Sequence, residues 1–162
     1  MSPHKVRILI LACGNSLRSD DGVGPWLAEW VEENFSVGLD LRVVSQQQWT
    51  PELAYELAGA EAAIFIDCSL ASSPGSVNLI PVHAAEVNQA VATHHLGAPE
   101  LLALSQHLYG SEPRSAFLLT VCAGSVDLGE EFSPQAEAAL TKASQLLKSV
   151  IEQMLSAGSE PA

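Results

Sequence analysis

The chain alternates between apolar runs of strand length and stretches whose apolar residues recur at helical spacing. Residues 7–13 (Arg-Ile-Leu-Ile-Leu-Ala-Cys) are continuously apolar after the arginine. Such a run suits a central strand covered on both faces. A loop follows from Gly14 to Gly24, and Pro25 stands where a first helical residue belongs. Val23, Leu27, Trp30 and Val31 then predict an amphipathic helix over 25–34. Residues 41–44 read as a short strand. Thr50-Pro51 reads as the N-cap and first turn of a helix that stops near Gly59. A third strand over 62–66 ends at Asp67, Pro74-Gly75 marks a turn, and 77–82 has strand composition. Pro99 opens a helix with Leu101, Leu104 and Leu108 on one face and Gly110 as its stop. Residues 116–121 form a further strand. Ser133-Pro134 opens the last helix, whose stripe is Ala136, Leu140, Ala143, Leu147, Val150 and Met154.

The order is strand, helix, strand, helix, strand, strand, helix, strand, helix. Strands of buried type alternating with helices predict an α/β fold: a three-layer α-β-α arrangement around a mostly parallel, twisted sheet of about five strands. A single domain over 1–156 and a frayed tail over 157–162 are expected from the length and from the Ala-Gly-Ser-Glu-Pro-Ala ending.

Composition narrows the class. Apolar residues make up 48% of the 162, and mean hydropathy is +0.20, so the chain has the means to build a core. No apolar run is long enough to span a bilayer. Seven Lys and Arg stand against nineteen Asp and Glu, a formal charge of −12. That sign opposes binding to nucleic acid or to an anionic membrane surface. The stretch 8–13 is too short for a signal peptide and runs into Gly14-Asn15. Cys13, Cys68 and Cys122 are odd in number, lack C-x-x-C spacing and adjoin apolar runs. They read as buried free thiols of a cytoplasmic protein.

In a parallel sheet, ligands bind outside the carboxyl ends of the strands. That rule selects the loop after Cys13, Asp67, and the segment before the Pro99 helix. The loop lacks both G-x-G-x-x-G and a P-loop lysine, and carries Asp20-Asp21 instead. A helix cap accounts for one of these aspartates more easily than for both. Thr93-His94-His95 precedes the Pro99 helix, whereas His4, His83 and His107 read as structural or solvated. Asp21, Asp67 and one of His94 and His95 would share one edge of the sheet. Two carboxylates and an imidazole make a mixed oxygen and nitrogen site for a first-row divalent ion, completed by water or substrate. There is no H-E-x-x-H helix and no G-x-S-x-G elbow.

These residues resemble the maturation endopeptidases of nickel–iron hydrogenases. Gly14-Asn-Ser-Leu-Arg-Ser-Asp-Asp-Gly-Val-Gly24, after its strand, is similar to the family's G-N-x-L-x-x-D-[DE]-G-x-G. Ile64-Phe-Ile-Asp67 is similar to its apolar strand ending in Asp. Thr93-His94-His95-Leu96-Gly97 is similar to its histidine segment ahead of a Leu-rich helix, and Gly129-Glu-Glu-Phe-Ser-Pro134 to its entry into the last helix. Many members have Glu where this chain has Asp21, and a Gly-Thr-like segment where it has Gln46-Gln-Gln-Trp-Thr-Pro51.

The resemblance implies an endopeptidase that removes the C-terminal peptide of a hydrogenase large-subunit precursor after nickel insertion. Asp21, Asp67 and His94 would contact nickel brought by that precursor, with His95 as a variable neighbour and Cys68 as a buried thiol. Asp21 and Asp67 would also serve catalysis, and no organic cofactor is implied. The competing class is a non-proteolytic module or chaperone that senses nickel in the same partner. A small-molecule hydrolase or phosphorylase ranks last, because Arg18 is the only basic residue in the first loop.

Overall fold

A computed structural model of the protein describes residues 5–38, 40–86 and 96–157. Five strands form one sheet: β1 (Val6–Cys13), β2 (Leu41–Gln46), β3 (Ala60–Ser69), β4 (Val77–Pro81) and β5 (Ser115–Cys122). Among the described residues four α-helices flank it: α1 (Val23–Asn34), α2 (Leu53–Ala58), α3 (Ala98–Tyr109) and α4 (Pro134–Ala157). The strand order is β2-β1-β3-β5-β4. All neighbours are parallel except β4, which runs antiparallel to β5 at the edge. The expected α/β class and mostly parallel sheet are thus found. No helix among the described residues is long and apolar enough to cross a membrane.

The unbroken apolar run of β1 has a direct cause. Successive side chains of a strand point to opposite faces, and here both faces are covered. Ile8, Ile10 and Ala12 pack with Ile64 and Ile66 of β3 under α1 and α4. Leu9, Leu11 and Cys13 pack with Phe65 against α2 and α3.

Helix boundaries and faces depart from the expectations in a few places. α1 begins two residues before Pro25. The expected Thr50 side-chain cap is absent: α2 starts at Leu53, whose N–H donates to the Thr50 carbonyl at 3.1 Å. On α3 the buried face is Ala98, Leu101, Leu102 and Ser105, while Leu108 is 56% exposed. Ser105 is tolerated inside because its hydroxyl donates to the Ser111 carbonyl at 2.6 Å. On α4, Ile151 is buried beside the predicted stripe. Its Ser133 cap is real: the hydroxyl accepts the Ala136 N–H at 3.2 Å.

This order places the site. β1 connects onward to β2 on one side, whereas β3 leads toward β4 and β5 on the other. The reversal leaves a crevice outside the carboxyl ends of β1 and β3, where Gly14 and Asp67 stand.

Candidate functional site

The loop after β1 folds back over the end of its own strand, and two glycines permit it. Gly14 has a φ of +148°, and a Cβ there would overlap the main-chain oxygen of Asp21. A Cβ on Gly24 would overlap the main-chain oxygen of Cys13. The loop then closes as a 3-10 turn over Ser19–Gly22.

That turn separates its two aspartates. Asp20 is fully buried. It accepts hydrogen bonds from the Gly124, Ser125 and Ser133 amides and from the Ser133 hydroxyl, at 2.6–3.0 Å. Burial alone would raise its carboxyl pKa. The Ser133 hydroxyl and amide, with the Ser125 and Gly124 amides, outweigh burial and hold the group below the ordinary range. Asp20 therefore ties the loop after β1 to the loop after β5. Asp21 is half-buried, and its Oδ2 accepts the Asn15 N–H at 2.7 Å.

Asp67 lies within β3, beyond the predicted strand end, and pairs with Thr120 of β5. Its Oδ1 accepts the Cys68 N–H at 2.8 Å and the Cys13 thiol at 3.1 Å. Burial and then the Asp67 charge and hydrogen bond push the Cys13 thiol well above its ordinary pKa, so it stays a protonated donor. Cys68 is half-exposed, not buried as expected. Burial of its sulfur, then the charges of Asp21 and Asp67, push it up to about 12. Neither thiol is a nucleophile at neutral pH.

Asp21 and Asp67 line one cavity of about 590 Å³, together with Cys13, Asn15, Arg18 and Trp49. Leu96, Gly97 and Pro99 bring the entry of α3 to the same wall, with the Gly97 N–H donating to the Glu100 side chain at 3.1 Å. His94, the expected third ligand, and His95 lie outside the described residues, as do His4 and 158–162. Among the described residues no three His, Cys, Asp or Glu side chains gather as a metal-binding group. His83 and His107 are exposed.

Three contributors to the cavity were not singled out by the sequence reading as site residues. The Cys13 thiol reaches Asp67 because parallel pairing sets β1 beside β3. Trp49 packs edge-on against Phe65, and its indole N–H has no acceptor among the described residues. Arg18 had one available signal, its place as the single basic residue of an acidic loop.

No protein-family model matches the chain, and no curated protein sequence matches it. Solved structures do. The hydrogenase maturating endopeptidase HybD from E. coli is 19% identical, with a TM-score of 0.70 over 91% of this chain and 93% of its own. The [NiFe] hydrogenase maturation protease HybD from Thermococcus kodakarensis is 26% identical, with a TM-score of 0.66 over 90% and 99%. The maturation protease HycI from the same organism is 21% identical, with a TM-score of 0.69 over 90% and 92%. The chain has the fold of these proteases along about nine-tenths of its length.

Proposed function

We propose that this chain, which carries the fold of the hydrogenase maturation proteases, is a cytoplasmic endopeptidase. It removes the C-terminal peptide of a nickel–iron hydrogenase large-subunit precursor once nickel is in place. What supports the reading is the meeting of Asp21 and Asp67 in one cavity at the carboxyl edge of β1 and β3. Asp21 comes from the turn after β1 and Asp67 from the end of β3, and neither is consumed in a helix cap. A fold alone carries no activity, so the weight rests on this pair.

In the proposed reaction the precursor's nickel is part of the substrate. Asp21, Asp67 and His94 take hold of it, and this mixed donor set suits a first-row divalent ion. Docking through the metal places one peptide bond against the carboxylates. Water attacks the scissile carbonyl while one carboxylate accepts its proton, and the leaving amine is protonated as the bond breaks. Hydrogen bonds from Cys13 and Cys68 fix Asp67, and the Asn15 amide fixes Asp21, so neither must reorient on binding.

The test is incubation with nickel-loaded and nickel-free precursor, followed by mass spectrometry. Loss of a C-terminal fragment from the loaded form alone is expected. An unchanged mass despite binding would leave a nickel-sensing module instead.

A further inference from the structure

We infer that an extended polypeptide crosses this site from one hollow into another, with Arg18 and Asp21 at the crossing. The inference rests on the peptidase reading above. A second cavity, of about 240 Å³, is lined by Arg18, Asp21, Cys68, Leu70 and Val126. It shares Arg18 and Asp21 with the larger one. The strand explains why there are two. Asp67 and Cys68 are consecutive in β3, so their side chains leave on opposite faces of the sheet. Asp67 lines the larger hollow and Cys68 the smaller. The end of β3 stands between them, and the loop carrying Arg18 and Asp21 spans both.

Both hollows set apolar side chains beside polar ones. Trp49, Leu96 and Leu118 line the larger one with Gln47 and Gln48, and Leu70 and Val126 give the smaller one an aliphatic side. One compact ligand needs a single hollow. A chain passing over the carboxylates at about 3.3–3.6 Å per residue needs one on each side of the bond to be cut.

Arg18 fits the role of positioning residue for that chain. Its Nε donates to the Val126 carbonyl at 3.3 Å, which anchors the guanidinium beside the smaller hollow. Among the described residues no carboxylate lies within ion-pair distance of it. The protein has nineteen acidic residues and seven Lys and Arg, so a cation at the crossing without an acidic partner is a donor in reserve. A guanidinium presents its N–H groups in a fixed fork, suited to the carbonyl oxygens of an extended backbone. Leu70 and Val126 then receive one small apolar side chain.

The experiment is steady-state cleavage of nickel-loaded large-subunit precursor by the wild type, Arg18→Ala, Leu70→Trp and, as a control on the end of α3, Leu108→Ser. Leu70 is 72% exposed, so tryptophan there fills the smaller hollow without entering the core. Both Arg18→Ala and Leu70→Trp should raise KM about tenfold, about 1.4 kcal/mol of lost binding. Their kcat should change less, and Leu108→Ser should match the wild type. Arg18→Lys keeps a donor for the Val126 carbonyl but loses the fork, so its KM should stay raised, which a merely structural contact to Val126 would not predict. Wild-type KM in either variant overturns the inference, while an inactive Asp21→Ala would still uphold the peptidase reading. If the wild type leaves the loaded precursor uncut, that reading fails and the inference falls with it.

Discussion

Asp20 and Asp21 are neighbours in the chain whose carboxylates face different surroundings. The first is sealed beneath the turn on Gly124, Ser125 and Ser133, and the second lines the cavity beside Arg18. Asp20 therefore carries a stability prediction. Asp20→Ala strands three amides and a hydroxyl and should cost roughly 2–4 kcal/mol, read as a lower urea midpoint.

The same residue predicts acid sensitivity. Its folded carboxyl is held below the ordinary value of 3.8. A depressed folded pKa contributes stability that is present above the unfolded pKa and lost as pH falls through the folded one. The wild type should lose stability below 3.8 more steeply than Asp20→Asn, in urea titrations run stepwise down in pH. Parallel acid limbs would remove Asp20 from the account.

Asp21→Ala, Asp67→Ala and His94→Ala should each reduce precursor cleavage by about 100-fold or more, with circular dichroism unchanged. His95→Ala should matter much less. An inactive His95→Ala beside an active His94→Ala would transfer the histidine role to its neighbour.

Gly14→Ala tests whether the loop's shape matters apart from its charges. The added methyl meets the main-chain oxygen of Asp21, so the aspartate must move. A displacement of about 1 Å at such a site costs on the order of 100-fold in rate. Cleavage should fall well beyond any drop in the melting temperature. Wild-type turnover would show that the Asp21 position is not critical.

Cys68 reports on the site without any substrate. Burial and then the charge of Asp21 keep its pKa high. Asp21→Asn should lower it and speed alkylation by iodoacetamide at mildly alkaline pH, followed at Cys68 by peptide mapping. An unchanged rate would mean that the two side chains do not sense each other.

By itself the sequence determined the order of strands and helices, the burial of β1 on both faces and the Ser133 cap of α4. These depend on neighbouring residues, since strand alternation, helical spacing and caps are all short-range signals. It also marked Asp21 and Asp67, because strand ends of a parallel sheet converge on one edge. Only the tertiary structure decided that β4 runs antiparallel, that α3 buries Ser105 while exposing Leu108, and that Asp20 is the structural member of its pair. It alone set Cys13 against Asp67, 54 residues away, and Asp20 against Ser133, 113 residues away. Each of these outcomes is a competition for partners brought together by the packing of the whole sheet, and no local pattern encodes who those partners are.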